Sequence, residues 1–189
     1  MPDQSAVRRG VFLDRDGAIA EEIGYLNHAS RFRIFPLAAA AIRRLDKTNF
    51  PVMVVTNQYG VGRSYFPESL VNTVNELMTR RLAEAGATID AVYYCPHPST
   101  ANCNCRKPRT GMVDRAALEH GLDLRRSFVV GDRYDDVELA RNVRSRSIRV
   151  RTAYGEGGLA WNAANWPAQP DFIADDLSHA ADWILRQQK

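Results

Sequence analysis

The stretch VFLDRDGAIA, residues 11–20, sets an apolar run directly against two carboxylates and a glycine. Large apolar residues that stop on an aspartate read as a buried strand whose carboxyl end is polar. Asp14 and Asp16 are two residues apart, so in extended backbone they share a face at roughly 7 Å, room for a phosphoryl group. Gly17 then lets the chain turn away. Taken by itself DRDG is also an ordinary solvated turn, because Asp and Gly are turn residues. The rest of the chain decides between the two readings.

Outward from this stretch the same design repeats. RRGVFLD (8–14), PVMVVTN (51–57), TIDAVYYC (88–95), SFVVGD (127–132) and DFIA (171–174) read as strands, and SIRVR (147–151) as an alternating one. Between them lie helical patterns. Residues 36–48 place Leu37, Ala41, Ile42 and Leu45 on one face, and residues 67–85 do the same with Leu70, Val71, Val74, Leu77, Met78 and Leu82. Shorter helices are expected over 111–120, 135–143 and 177–185. The Gly/Ala/Asn/Pro-rich stretch 154–170 carries no motif, and its Trp161 and Trp166 are expected to be packing residues. Strand–helix alternation with apolar strands predicts an α/β fold, a mostly parallel sheet with helices on both faces. With 189 residues, 45% of them hydrophobic, one domain over residues 1–189 is expected.

In such sheets chemistry collects beyond the carboxyl ends of the strands. Polar groups stand there: Asp14 and Asp16 after the first strand, Thr56 and Asn57 after the second, Cys95 at the third and Asp132 after the fourth. A carboxylate such as Asp14 can act as a nucleophile toward phosphorus. It must approach a dianion, however, and at about 4 Å and an effective dielectric of about 20 each like-charge pair opposes this by on the order of 4 kcal/mol. The site therefore needs cations. Mg²⁺ suits it, since it binds through one or two carboxylates. Within VVGDRYDD (129–136), Asp132 is placed to complete a Mg²⁺ site, Asp136 to orient a ligand or a lysine, and Asp135 to act as a plain helix N-terminal acid. Lys107 is the lysine, and Thr56 and Asn57 offer a hydroxyl and an amide.

All three cysteines lie in YYCPHPSTANCNCRKP, residues 93–108. Cys95, His97, Cys103 and Cys105 supply four N/S ligands, the complement of a closed, structural Zn²⁺ site. An odd number of thiols without a C-x-x-C pair argues against redox pairing. The loop runs straight into Arg106 and Lys107, so the zinc would fix the backbone that presents them.

Other classes are set aside. No apolar run reaches membrane-spanning length, and MPDQSAVRRGVFLD lacks the apolar stretch of a secretory signal, so a cytoplasmic protein with no membrane partner is expected. A net charge of +3 is a mild excess. A zinc-containing nucleic-acid module is weighed because of Arg141, Arg144, Arg146, Arg149 and Arg151. The C-x-H…C-x-C spacing is not that of ββα fingers, and the arginines read as a solvated helix end and strand, so no nucleic acid is expected. A monomer is expected.

Four pieces in order, DRDG, TNQ, CRKP and GDRYDD, resemble the haloacid dehalogenase (HAD) superfamily of phosphotransferases. With CPH…CNCRKP, the chain is similar to the histidinol-phosphatase and heptose-bisphosphatase branch. FLDRDGAI, VVTNQYGVGRSYF, YYCPHP, CNCRKPRTGM and VVGDRYDD resemble stretches of the D-glycero-D-manno-heptose 1,7-bisphosphate 7-phosphatases over roughly residues 10–152. The resemblance implies a capless, Rossmann-like HAD domain. It implies Asp14 as nucleophile, Asp16 as general acid and then base, and Mg²⁺ held by Asp14, the backbone carbonyl of Asp16, and Asp132. Thr56 and Lys107 would bind the transferring phosphoryl, and Asn57, Gln58 and Arg106 the rest of a small phosphorylated sugar. The implied reaction removes the C7 phosphate of the heptose bisphosphate, in making lipopolysaccharide or capsule precursors; histidinol phosphate is the alternative substrate. The chain departs from the family pattern at Ala18 and Ala20, where Thr and often Asn stand, and at Arg133, where Lys is common.

Overall fold

Six short apolar runs pair into one sheet. The computed structural model describes residues 8–48 and 50–187; residues 1–7, part of the N-terminal leader reading, lie outside them. The strands are β1 (Val11–Leu13), β2 (Val52–Asn57), β3 (Ala91–Cys95), β4 (Phe128–Gly131), β5 (Arg146–Val150) and β6 (Phe172–Ala174), in the order β3-β2-β1-β4-β5-β6. Every pairing is parallel. Chain order runs outward from β1 first to one side and then to the other. The switch point therefore lies at β1, between β2 and β4, where a doubly wound sheet opens a crevice at its carboxyl edge.

The helices are α1 (Ala38–Asp46), α2 (Glu68–Glu84), α3 (Gly111–His120), α4 (Tyr134–Val143), α5 (Gly155–Asn162) and α6 (Leu177–Arg186). Because strand side chains alternate in direction, β1 sends Val11 and Leu13 into one apolar cluster and Phe12 into another. The first cluster takes Ile42 and Leu45 of α1, Val74 and Met78 of α2, and Ala181 and Ile184 of α6. The second takes Met112 and Val113 of α3 and Leu139 and Ala140 of α4. Helices thus cover both faces, in one α/β domain. Local signals fix the ends: Asp176 caps α6 by accepting from the His179 N–H at 2.9 Å, and α3 stops at Gly121, which takes φ +63°.

The structure corrects the sequence reading in four places. Leu37 precedes α1 and is exposed, so it does not share the buried face. β5 does not alternate: Ser147, Ile148, Arg149 and Val150 are all buried, because the strand is covered on both faces. The stretch 154–170 contains a helix, α5. Within it Trp166 packs on the Arg149 guanidinium at 4.5 Å and the Tyr134 ring at 5.1 Å, whereas Trp161 is 82% exposed and packs no core. The arginines from 141 to 151 are only partly a solvated set. Arg149 is buried, Arg141 donates to the Pro167 carbonyl, and Arg151 pairs with Glu156 at 2.7 Å. No helix among the described residues is long and apolar enough to cross a membrane.

Candidate active site

The carboxyl ends of β1, β2 and β4 meet over one cavity of about 200 Å³. Asp14, Asp16, Thr56, Asn57, Gln58, Arg106 and Lys107 all line it. Asp14 follows β1 and is 6% exposed. One of its oxygens accepts the Arg15 backbone N–H at 2.7 Å and the other lies 2.9 Å from Lys107 Nζ. Burial pushes the Asp14 carboxyl up to about 6, against the pull of the Lys107 ammonium and with the push of Asp136. Lys107 is 3% exposed and also reaches Asp136 at 2.6 Å. Its burial opposes the charge, but the two carboxylates outweigh that and hold its pKa above the ordinary value.

Asp132 follows β4 and is fully buried. Its Oδ2 accepts the Tyr154 N–H at 3.1 Å, while its Oδ1 is buried without a hydrogen-bond partner among the described residues. Burial, and next the Asp14 charge, push this carboxyl up to about 8. A lone buried carboxylate oxygen beside like charges is the electrostatic signature of a cation site. Asp14, Asp132 and Asp136 each bring an oxygen into one group within 4.8 Å, so the residues fit a divalent ion. Gly17 makes the approach possible. It holds φ +90°, and a Cβ there would meet the Asp132 carboxyl at 2.3 Å.

Asp16 stands apart from that side-chain cluster. Its carboxylate accepts from Arg15 Nε at 3.0 Å, Arg15 Nη2 at 2.7 Å and Gln58 Nε2 at 2.8 Å. Gln58 also donates to the Thr56 hydroxyl at 3.0 Å, joining the ends of β1 and β2. Asn57 uses both ends of its amide on the Lys107 peptide, accepting its N–H at 3.0 Å and donating to its carbonyl at 3.2 Å. In this arrangement Asn57 docks the lysine's loop. Arg106 lies 5.0 Å from the Tyr59 ring centroid.

Cys95, His97, Cys103 and Cys105 come together as well, with one N or S atom from each inside 4.8 Å. Cys95 and Cys105 sulfurs are 2.9 Å apart, and His97 Nδ1 is 3.2 Å from the Cys105 sulfur. All three thiols are free. Two sulfurs and an imidazole at these separations, with a third sulfur 3.6 Å from Cys95, fit a tetrahedral Zn²⁺.

Residues outside the sequence-based set also wall the cavity: Glu22, Tyr25, Tyr59, Asp135 and Tyr154. Glu22 pairs with Arg133 at 3.4 Å, and burial together with the Asp16 charge raises its pKa. Arg133 lies over the Tyr154 ring at 4.3 Å. Asp135 sits in the first turn of α4 but faces the cavity, more than a plain helix-terminal acid. Arg133 and Asp135 carried a signal within VVGDRYDD and Tyr59 within VVTNQYGVGRSYF, whereas Glu22 and Tyr154 carried none.

A switch-point crevice with paired aspartates after β1, a lysine and a further aspartate after β4 defines a HAD-like phosphatase. Consistent with this, the HAD-hydrolase-like family model matches residues 104–180. The D-glycero-D-manno-heptose-1,7-bisphosphate 7-phosphatase of Thermosynechococcus vestitus is 38% identical over 188 residues, covering 94% of this chain and 95% of that protein. The D-glycero-beta-D-manno-heptose-1,7-bisphosphate 7-phosphatase of Escherichia coli K12 is 35% identical over 188 residues, covering 95% of each. The crystal structure of D,D-heptose 1,7-bisphosphate phosphatase from B. bronchiseptica, complexed with magnesium and phosphate, superposes with a TM-score of 0.87 at 29% identity, covering 95% of this chain and 99% of that one. The chain belongs to the heptose-1,7-bisphosphate 7-phosphatase family of the HAD superfamily.

Proposed function

We propose that the protein hydrolyses the C7 phosphate of D-glycero-D-manno-heptose 1,7-bisphosphate, as a cytoplasmic monomer supplying heptose precursors of lipopolysaccharide or capsule. The observation that carries the chemistry is the Asp14–Lys107 pair: a buried carboxylate at the switch point with an ammonium 2.9 Å away. The substrate assignment is supported by the named activity of relatives aligned over nearly the whole chain.

In this reading Asp14 attacks the C7 phosphorus, forming an aspartyl-phosphate as the bond to the sugar oxygen breaks. Asp16 gives its proton to that departing oxygen and takes one from the water that then cleaves the aspartyl-phosphate. Lys107 and Thr56 hold the phosphoryl oxygens, where charge stabilisation is their service. Gln58 and Arg106 face the remainder of the substrate. Mg²⁺, when bound by Asp14, Asp132 and the Asp16 carbonyl, offsets the charge between nucleophile and phosphate. Zn²⁺ on Cys95, His97, Cys103 and Cys105 takes no part in the reaction and folds the loop that carries Lys107.

The test is phosphate release with Mg²⁺ from both anomers of the heptose bisphosphate and from histidinol phosphate. Faster turnover of a heptose bisphosphate is expected. Preference for histidinol phosphate overturns the substrate, and no release from any of them overturns the activity.

A further inference from the structure

Arg15 lies between the two aspartates and heads the largest fully buried side chains, at 1% exposure. A guanidinium is rarely taken so far from water unless its donors are committed. Here they are. Nε and Nη2 fork onto the two oxygens of Asp16 at 3.0 and 2.7 Å, and Nη1 donates to Asn75 Oδ1 on α2 at 3.0 Å. The Phe32 ring packs against the guanidinium carbon at 5.8 Å. Asn75 is itself buried at 8% exposure, whereas the Asp16 side chain keeps 21% exposure and lines the cavity. The chain of contacts thus runs from a helix, through a buried cation, to an accessible carboxylate.

From this geometry we infer that Arg15 and Asn75 are positioning residues for Asp16. The inference rests on the reading of Asp16 as the acid–base group. The terminal torsion of an aspartate is broad, so a solvated carboxylate does not hold one plane. A planar fork does fix it, because two parallel N–H bonds define the plane of both partners. Asn75 fixes the fork in turn, and its seat on α2 ties the carboxylate to a packed helix.

The arrangement also selects an oxygen. A carboxylate has about four lone-pair directions. Among the described residues three take donors: one on Oδ1 from Arg15, and two on Oδ2 from Arg15 and Gln58. The remaining direction is on Oδ1. That oxygen therefore carries the proton passed to the sugar oxygen, with the Oδ1–H bond breaking as the new O–H bond forms.

The test exploits the leaving group. A sugar alkoxide needs the proton on departure, whereas the nitrophenolate of 4-nitrophenyl phosphate leaves without it. The quantity measured is kcat/KM on the heptose bisphosphate and on 4-nitrophenyl phosphate, for wild type, Arg15→Lys, Asn75→Leu, Asn75→Asp and Asp16→Asn. Arg15→Lys keeps the charge and loses the fork; Asn75→Leu removes the acceptor and Asn75→Asp retains one. Arg15→Lys and Asn75→Leu are expected to lower the sugar value about 10- to 100-fold, to leave the aryl value near wild type, and Asn75→Asp to stay near wild type on both. An equal fall on both substrates, or no fall while Asp16→Asn is impaired on the sugar, overturns the positioning role. An unimpaired Asp16→Asn overturns the reading of Asp16 itself. Thermal midpoints accompany each variant, and Arg15→Lys carries the test if Asn75→Leu does not fold.

Discussion

Lys107 Nζ donates to Asp136 Oδ1 at 2.6 Å, with both side chains 2% exposed. The pair, together with Asp14 at 2.9 Å, holds the ammonium in place before any substrate arrives. Replacing Asp136 by Asn keeps an acceptor and removes the charge. Asp136→Asn is expected to lower kcat about 10- to 100-fold, as removal of such orienting partners does. Lys107→Met leaves two carboxylates facing each other without a cation, and breaking a buried pair in this way destabilises by about 3–5 kcal/mol. Denaturant unfolding and steady-state kinetics on the two variants check this. Wild-type kinetics in Asp136→Asn would show that the ammonium is held by other means.

The clasp of Cys95, His97, Cys103 and Cys105 leads into the same lysine. Asn57 holds the Lys107 peptide by its two amide contacts, and the loop that gathers Cys95, His97, Cys103 and Cys105 runs directly into it. Cys103→Ser is expected to lose the bound zinc and to lower activity at least about tenfold through misplacement of Lys107. Metal analysis of the purified variant beside its kcat is the check. Full activity in a zinc-free variant would contradict the linkage.

Removal of the divalent cation has a signed pH dependence. The carboxyls of Asp14 and Asp132 are raised from 3.8 to about 6 and about 8. Both bind a proton more tightly folded than unfolded. Their contribution to the stability of the metal-free protein is full below the unfolded value and is lost as pH rises through about 6 and about 8. Mg²⁺ needs the ionised forms, so its stabilisation grows over the same window. The thermal midpoint without Mg²⁺ should fall from about pH 4 to about pH 8, and the rise on adding Mg²⁺ should be larger at the upper end. An Mg²⁺ shift independent of pH would contradict this.

Gly17 carries both the backbone and the space argument. At φ +90°, with Asp132 2.3 Å from a built Cβ, alanine has no relaxed position. Gly17→Ala is expected to destabilise by more than about 1 kcal/mol and to weaken Mg²⁺ binding by pushing Asp132 aside. Calorimetric titration with Mg²⁺ reads the second effect directly, and unchanged affinity would place the ion elsewhere.

Much of this was legible in the residues themselves. Val11–Leu13 stopping on Asp14, and Val52–Asn57 ending in Thr and Asn, are local patterns, and local patterns survive into the fold. What was not legible depends on distant partners. Arg15 reads as a charged turn residue, and its burial follows from Asn75, sixty positions on. Asn57 and Gln58 read as substrate amides, yet their hydrogen bonds go to Lys107 and Asp16, which only the folded loops bring near. The helix α5 was hidden for another reason. Its glycines disfavour a helix by intrinsic propensity, but Gly158 lets the helix lie close against Arg149, whose Nη2 would be 2.3 Å from a Cβ there. Packing against a buried arginine overrode propensity there, and the alternation expected of β5 failed at the same residue.

The central claim is that Asp14 is the nucleophile of a 7-phosphatase. Phosphorus NMR of D-glycero-D-manno-heptose 1,7-bisphosphate incubated with Mg²⁺ and either wild type or Asp14→Asn reads it most directly. The account predicts loss of the C7 signal, with the C1 signal retained, for wild type, and no change for the variant. Loss of the C7 signal at a comparable rate with Asp14→Asn would contradict it.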